Sequence, residues 1–245
     1  MTQPVALITG GARRIGAAIA EKLHRNGFRV IIHYQSSATQ AQQLCQTLNL
    51  QRSDSAAIIS ADLNQIEDIN QLSQQAIKQF GQLNLLVNNA SSFYPTPIAT
   101  ATLDQWDNLF NSNAKAPFFL SQALAGELEK QRGSIINIAD IHAEKPLKNH
   151  TLYCMAKAAN VMLTKSLAKE LAPNVRVNGI APGAILWPES EAELDNKAQA
   201  DILTKIPLAR AGDVDNIANT VKFLALDNNY INGQILAVDG GRSIN

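Results

Sequence analysis

The chain contains little cysteine, with only Cys45 and Cys154 among 245 residues. Two thiols cannot supply the disulfide framework of a small secreted protein, so a reduced, cytoplasmic setting is expected. Long apolar runs are also missing. The first one, Val5–Ile8, leads directly into a glycine turn and is too short for a signal peptide. No stretch approaches the roughly 20 apolar residues that a membrane span requires.

An excess of charge of either sign is missing as well. The 21 Lys and Arg residues balance the 21 Asp and Glu residues, and no basic run flanks an apolar segment. We therefore expect neither nucleic acid nor a membrane among the partners. His33, His142 and His150 lack the spacing of metal ligands, which predicts no metal site, and we interpret all three as loop or surface groups.

Short β-branched runs alternate along the chain with longer amphipathic stretches. The strand-like runs are residues 5–9, 30–34, 56–60, 83–88, 134–139, 175–180 and 234–238, and the helical stretches include 15–25, 65–80, 120–130 and 151–171. This alternation is typical of the α/β class. It predicts a Rossmann-like, doubly wound parallel sheet of about seven strands with helices on both faces, formed as a single domain by residues 1–245. Met155 and Met162 are expected in its core.

The segment 185–206 interrupts the alternation. Its first half is acidic and contains Trp187-Pro188. We interpret it as a helical flap near the ligand. A charged helix that only faces solvent is an equally good interpretation.

A glycine-rich turn follows the first strand, with the sequence Thr9-Gly10-Gly11-Ala12-Arg13-Arg14-Ile15-Gly16. Glycines at such a turn let backbone amides approach a pyrophosphate at the positive end of the next helix. A glycine turn alone is a weak signal, but its place after the first strand of an alternating chain strengthens it. The turn predicts a dinucleotide cofactor.

The end of the second strand indicates which dinucleotide. An NAD site usually places an acid here for the ribose 2′-hydroxyl, but no Asp or Glu lies between Glu21 and Asp54. Arg13 and Arg14 supply positive charge instead, with hydroxyl donors at Ser36 and Ser37. This favours a 2′-phosphate and hence NADP(H), unless one arginine only covers the surface. Asp62, after the third strand, is a candidate for adenine binding or for a helix cap.

Tyr153 and Lys157 lie four residues apart in a helical stretch, so they project from one face. A free phenol has a pKa near 10, and a nearby cation lowers it. The pair therefore predicts a proton donor that is tuned by its neighbour. Asp140 lies thirteen residues before Tyr153.

Asn113 is followed four residues later by Pro117 in another helical stretch. Proline cannot donate to the carbonyl at i−4, so we expect a kink and a free Asn113 carbonyl. A simple kink with a hydrated carbonyl is the alternative.

Taken in order, these motifs resemble the short-chain dehydrogenase/reductase family over essentially the whole chain. Besides the glycine turn, the matching motifs are Asn88-Asn89-Ala90, Asn113, Tyr153-x-x-x-Lys157, Pro182-Gly183 and Asp239-Gly240-Gly241. Within the family the chain looks most like the pteridine reductases. Their glycine turn carries an arginine where Arg14 stands, and an aspartate replaces the usual serine at the position of Asp140. Their substrate-side loop is similar to the stretch Asn89-Ala90-Ser91-Ser92-Phe93-Tyr94-Pro95.

The resemblance implies roles for particular residues. Phe93 would stack a pterin against the nicotinamide, Ser91 would contact cofactor and pterin, and Asn113 would hold a water linked to the lysine. The implied catalytic residues are Asp140, Tyr153, Lys157 and Asn113, and the implied substrate-binding residues are Arg14, Ser91, Phe93, Asp140, Tyr153 and Trp187. The expected cofactor contacts are Gly10, Arg13, Arg14, Ile15, Gly16, His33, Tyr34, Ser36, Ser37, Asp62, Leu63, Asn89, Ala90, Ser91, Tyr153, Lys157, Pro182, Gly183 and Ile185. At one position the chain departs from the pattern, because Ser36 stands where some members have an arginine for the 2′-phosphate.

The chemistry of Asp140 favours the same substrate class. Ketone reduction builds negative charge on an oxygen, which an ionised carboxylate would repel. A pterin offers N–H donors, and reduction of its C=N bond also needs a proton on nitrogen. We therefore predict an NADPH-dependent reductase of dihydrobiopterin- or dihydromonapterin-like pterins and of dihydrofolate, and the resemblance implies a homotetramer. The alternatives are a carbonyl reductase for ketoacyl or sugar-like substrates and a non-catalytic dinucleotide-sensing protein.

Overall fold

The computed structural model describes residues 3–187 and 195–244. Its centre is a seven-stranded parallel sheet in the order β3-β2-β1-β4-β5-β6-β7. The strands are β1 Val5–Ile8, β2 Arg29–Tyr34, β3 Ala56–Ser60, β4 Leu85–Asn88, β5 Ser134–Ile138, β6 Arg176–Pro182 and β7 Ile235–Val238. The predicted doubly wound α/β fold is confirmed.

The helices connect these strands and cover both faces of the sheet. They are α1 Arg14–Arg25, α2 Ala38–Gln51, α3 Ile66–Phe80, α4 Leu103–Phe110, α5 Ala116–Gln131, α6 Thr151–Glu170, α7 Asn196–Leu203 and α8 Val214–Lys222. One hydrophobic cluster includes Ile19 and Leu23 of α1 with Ile217 of α8, and another includes Leu72 of α3 with Leu124 of α5. Each cluster buries the apolar stripe of its helices against alternate residues of the strands.

The sheet topology places the ligand crevice. Strand order reverses between β1 and β4, and in open α/β sheets ligands bind outside the carboxyl ends of the strands at such a point. The glycine turn follows β1, the loop 89–95 follows β4, and Asp140 follows β5. The fold therefore brings three sequence motifs together at the carboxyl ends of the strands.

The predicted flap is described only in part. Residues 195–206 contain α7, whose start is capped by the Asp195 side chain accepting from the Ala198 amide at 2.7 Å. Glu189, Glu191 and Glu193 lie outside the described residues, as does Pro188.

The expectation that Met155 and Met162 are core residues is wrong. They are 44% and 61% exposed, because both lie on the face of α6 that points away from the sheet. Among the described residues, no helix is both long and apolar enough to cross a membrane.

Candidate active site

The glycine turn is held in shape by a buried histidine. The Gly10 amide donates to Nδ1 of His33 at 3.1 Å, so the other ring nitrogen, Nε2, carries the proton and donates to the Ala61 carbonyl at 3.1 Å. Burial lowers the pKa of His33 to about 4, although the bond to Ala61 and the charge of Asp62 act in the opposite direction. His33 was predicted to contact the cofactor. That contact stays a prediction. The interpretation of His33 as a loop or surface group is wrong, because the residue lies in β2 with its side chain 2% exposed and supports the turn from beneath.

The turn packs closely on itself and on the loop after β4 because two of its residues lack side chains. Gly10 has a φ of +59°, which suits glycine, and a Cβ on Gly16 would lie 2.1 Å from the Gly10 carbonyl oxygen. Asn89 closes this cradle from the β4 side, since its Nδ2 donates to the carbonyls of Thr9 at 2.9 Å and Gly10 at 3.1 Å. A bare backbone at a helix start fits a dinucleotide pyrophosphate.

Thr9 belongs to the glycine turn, and the sequence pattern predicts no role for its side chain. Its Oγ1 accepts from the amides of Asn89 at 2.9 Å and Ala90 at 3.0 Å, and it donates to the Val87 carbonyl at 3.3 Å. The side chain therefore ties the loop after β4 to the end of β1. A hydroxyl at the end of the strand next to β4 is the signal that could have identified it.

Arg14 begins α1 in a backbone conformation that disfavours every residue except glycine and a few polar ones. Its φ is +54°, in the left-handed region. Its guanidinium Nη2 donates to the Trp187 carbonyl at 2.8 Å. The side chain therefore joins the start of α1 to the segment that follows β6.

The residues predicted for the adenosine end of the cofactor follow β1, β2 and β3. Arg13 precedes α1 and is exposed, Ser36 is exposed after β2, and Ser37 occupies the N-cap position of α2. Asp62 does not cap α3, which begins at Ile66. Its Oδ1 instead accepts from the Gln35 side chain at 2.9 Å and from the Asn64 amide at 3.0 Å.

Asp140 joins two elements of the site. Its Oδ2 accepts from the Tyr153 hydroxyl at 2.7 Å, and its Oδ1 accepts from the His142 amide at 2.8 Å as the cap of a 3₁₀ turn, Ile141–Ala143. The cap fixes the carboxylate at the end of β5, and α6 brings the phenol to it. The predicted Asp140–Tyr153 pair is therefore in direct contact.

Lys157 lies one helical turn beyond Tyr153 and is also buried. Its Nζ donates to the Ile138 carbonyl at 2.9 Å and lies 5.7 Å from the centre of the Tyr153 ring. Burial lowers the pKa of Lys157 to about 8, and the charge of Asp140 acts against that effect.

The expectation that Lys157 lowers the pKa of Tyr153 is wrong for the protein alone. Burial raises the pKa of Tyr153 well above its usual value, and both the charge of Asp140 and its hydrogen bond raise it further. A carboxylate that accepts a hydrogen bond from the phenol stabilises the neutral form of the phenol. Tyr153 therefore carries its proton at neutral pH.

Asn113 lies in a π-helical turn, Asn111–Lys115, that precedes α5, where Pro117 is the second residue. The prediction of a free carbonyl is wrong, because Nδ2 of Asn160 donates to it at 2.9 Å. The proline removes the helical donor, and a side chain from α6 replaces it. The Asn113 side chain holds the substrate-side loop, with Oδ1 accepting from Ser91 at 2.6 Å and Nδ2 donating to the Ser92 carbonyl at 3.1 Å.

Three aromatic rings meet beside the Asp140–Tyr153 pair. Phe93 stacks on His150 with ring centres 4.8 Å apart and planes 15° apart, and its ring meets Tyr153 edge-on at 4.8 Å. His150 does lie in a loop, but its ring is held against Phe93, and the interpretation of His142 as a loop or surface group is wrong because His142 is buried. The sequence could not show the His150 stack, because the fold alone brings the residue before α6 to the loop after β4.

A cavity of about 620 Å³ joins these groups. The predicted residues that line it are Arg14, Ile15, Asn89, Ser91, Phe93, Asp140, Tyr153, Lys157, Pro182, Gly183, Ile185 and Trp187. Other residues also line the cavity, although the sequence predicts no role for them. They include Leu147, Leu186, Ile202 and Arg242.

Arg242 adds a cation at the cavity wall from a short 3₁₀ turn, Arg242–Ile244. Asp239 fixes this turn by accepting from the amides of Gly241 at 2.9 Å and Ser243 at 2.6 Å. Burial lowers the pKa of Arg242, and the charges of Asp140 and Asp239 act against that effect. Its position directly after Asp239-Gly240-Gly241 was the available signal.

Comparison with known proteins agrees with this geometry. A family described as "Enoyl-(Acyl carrier protein) reductase" matches residues 10–243. The chain is 36% identical to Pteridine reductase 1 of Leishmania tarentolae over 284 aligned positions, which cover 99% of this chain and 97% of that protein. The chain belongs to the short-chain dehydrogenase/reductase family. As a member of that family it is an oxidoreductase, and the family's reductases use NAD(P)H.

Relatives with a different substrate are about equally similar to this short-chain dehydrogenase/reductase. The 3-oxoacyl-[acyl-carrier-protein] reductase FabG of Staphylococcus aureus is 35% identical, with 96% of both chains covered. The 3-oxoacyl-[acyl-carrier-protein] reductase of Synechocystis is 34% identical, with 98% of this chain and 97% of that protein covered. Sequence identity alone therefore does not distinguish between the two substrate classes. The residues at the site have to be used for that purpose.

Proposed function

We propose that this protein is an NADPH-dependent pteridine reductase that acts on dihydropterins and on dihydrofolate. The observation that carries the proposal is the 2.7 Å bond between Tyr153 and Asp140. A carboxylate at the reacting edge accepts N–H groups, which a pterin ring offers and a ketone lacks. For a ketone the same carboxylate would oppose the negative charge that develops on oxygen.

The proton chemistry of the pair also suits a C=N bond. The bound nicotinamide would supply hydride to carbon, so the protein must deliver one proton to nitrogen. Tyr153 holds a proton at neutral pH and is the proposed donor. Loss of that proton beside an ionised Asp140 is unfavourable, so one proton must return to the pair before the next turnover.

The walls of the cavity fit a flat ring. Phe93 and Tyr153 present aromatic surface, and Ser91 is held at its edge by Asn113. Stacking on such surface contributes beyond simple burial of area. We assign Phe93, Ser91, Asp140, Tyr153, Arg14 and Trp187 to substrate binding.

The cofactor assignment rests on charge at the glycine turn. Arg13 and Arg14 flank the start of α1, and the residues directly after β2, Gln35, Ser36 and Ser37, include no acid. An acid there would repel a 2′-phosphate, so we propose NADPH as the cofactor. We also propose that segment 185–206 acts as the substrate flap of a single domain.

We further propose a homotetramer that is joined through helix faces. Phe118 of α5 is 40% exposed, and α6 exposes Met155 and Met162. Exposed apolar side chains on two helices favour burial between copies. Light scattering coupled to size-exclusion chromatography would test the assembly.

The decisive experiment follows NADPH oxidation with three kinds of substrate: dihydrobiopterin, dihydrofolate and a ketone panel that includes a 3-oxoacyl thioester. We expect turnover with the pterin and the folate and little with the ketones. Efficient ketone reduction without pterin reduction would promote the carbonyl-reductase alternative. Binding of NADPH without turnover of any substrate would support the dinucleotide-sensing alternative.

A further inference from the structure

Two loops that are far apart in sequence are joined at the cavity. Phe93 lies in the irregular loop after β4, and His150 immediately precedes α6. The Thr96 amide donates to the Asn149 carbonyl at 2.6 Å, and Thr96 pairs with His150 in a parallel β-bridge. The backbone bridge and the ring stack therefore tie the same two segments together.

The imidazole of His150 is itself fixed in place. Its Nδ1 lies 2.8 Å from the Lys148 carbonyl, and a carbonyl only accepts, so Nδ1 carries the proton and donates. The ring is thereby anchored to its own loop before it stacks on Phe93 at 4.8 Å with planes 15° apart. A phenylalanine in an irregular loop otherwise has two rotatable side-chain bonds that only its neighbours can restrict.

The stack also relates Phe93 to the proton donor. His150 occupies the N-cap position of α6, and Tyr153 lies three residues into the same helix. The Phe93 ring meets the Tyr153 ring edge-on, with planes 80° apart. His150 and Tyr153 thus come from one rigid element and contact the same phenylalanine on different sides.

We propose that His150 is a positioning residue that fixes the plane of the Phe93 ring and so sets the slot in which a flat substrate lies beside Tyr153. The proposal rests on the pterin reductase function proposed above and adds a specificity determinant to it. His150 acts through Phe93 and takes no part in proton transfer. Its removal should therefore affect recognition of planar substrates more than the chemical step.

The test compares two substitutions of His150, one that keeps the bulk of the side chain and one that keeps its flat ring. His150→Leu retains bulk but removes the flat ring, and His150→Phe retains the ring but removes the imidazole nitrogens. We expect His150→Leu to raise KM for dihydrobiopterin roughly 2- to 10-fold, which corresponds to the loss of one aromatic stack. The NADPH dissociation constant should not change, and kcat should change less than KM. His150→Phe should restore most of KM, because it keeps the ring stack and loses only the bond to the Lys148 carbonyl.

A double-mutant cycle with Phe93→Leu tests whether His150 acts through Phe93. In the Phe93→Leu background, His150→Leu should raise KM no further. Lys148→Ala is the matched control, because it changes the same loop while keeping the backbone carbonyl that anchors the imidazole, and it should match the wild type.

Three results would overturn the inference: an unchanged KM in His150→Leu, additive effects in the double variant, or no recovery in His150→Phe. If His150→Leu fails to bind NADPH or to unfold cooperatively, His150→Gln replaces it as the variant without a ring and is judged by the same outcomes. Wild-type protein that does not reduce pterins would sink the proposed function and this inference with it. Wild-type protein that reduces them while KM is insensitive to position 150 would sink the inference alone.

Discussion

The hydroxyl of Tyr153 donates a 2.7 Å hydrogen bond to Oδ2 of Asp140. The two residues are thirteen positions apart, one capping a turn after β5 and the other in the first turn of α6. The carboxylate makes two hydrogen bonds at the same time. Its Oδ1 caps the turn, and its Oδ2 accepts from the phenol. The substrate class proposed for this short-chain dehydrogenase/reductase depends on this pair.

Removal of the Tyr153 hydroxyl group should abolish efficient turnover. Tyr153→Phe keeps the ring that contacts Phe93 and deletes the hydroxyl. We expect kcat to fall roughly 10²- to 10⁴-fold, as is typical for loss of a general acid. Steady-state NADPH oxidation with dihydrobiopterin measures this, and NADPH binding should persist. Near-normal turnover would exclude Tyr153 as the donor.

Lys157→Ala should also reduce turnover by orders of magnitude, but for an electrostatic reason. Lys157 is buried and donates to the Ile138 carbonyl, so its loss removes a charge beneath Tyr153 and leaves that carbonyl unpaired. The variant should therefore lose stability as well as activity. Thermal unfolding together with kcat would detect both, whereas a loss of activity in Lys165→Ala, on the exposed side of the same helix, would point to a general effect of the substitution.

Asp140→Ser should shift the substrate preference. The serine hydroxyl can donate to a developing oxyanion, whereas the carboxylate accepts N–H groups. We expect kcat/KM for dihydrobiopterin to fall sharply while NADPH affinity stays within about twofold, because Asp140 is assigned to the substrate. Methotrexate should compete with the pterin in the wild type and bind more weakly to Asp140→Ser. An equal loss of NADPH affinity would contradict the assignment.

Arg14 should favour NADPH at some cost in backbone strain. Arg14→Gly removes a side chain from a residue with φ of +54°, so it should leave the free energy of unfolding unchanged or raise it by up to about 1 kcal/mol. It should lower kcat/KM for NADPH far more than for NADH. Arg25→Ala, at an exposed arginine paired with Glu21, is the control and should not change cofactor preference. Equal kcat/KM values for NADPH and NADH in the wild type would refute the cofactor proposal.

His33 should make the protein acid-sensitive. Its pKa falls from 6.5 in the unfolded chain to about 4 in the fold, so the unfolded chain binds the proton more tightly. Stability is therefore complete above pH 6.5 and is lost as the pH falls from 6.5 towards 4, by roughly 3 kcal/mol in total. His33→Gln can keep both hydrogen bonds without titrating. Urea unfolding between pH 4 and 7 should show a weaker pH dependence in that variant, and an unchanged dependence would contradict the linkage.

The alternation of strand-like and helical patterns determined the α/β class and the seven strands, with boundaries within about two residues. It determined them because period-2 and period-3.6 patterns follow from which side of each element faces the core. Short-range geometry also explains which relationships between site residues the sequence predicted correctly. Tyr153 and Lys157 share a helix face, and Gly10 and Gly16 belong to one turn, so short-range geometry was enough.

Contacts between distant segments were decided only by the tertiary structure. The sequence gives no sign that Asn160 replaces the helical donor to the Asn113 carbonyl, that His33 supports the glycine turn, or that His150 stacks on Phe93. The pKa of Tyr153 is the clearest case. Spacing alone predicts a nearby lysine and a lowered pKa, whereas the fold buries the phenol against a carboxylate and raises it, because desolvation and the nearest charge both depend on three-dimensional position.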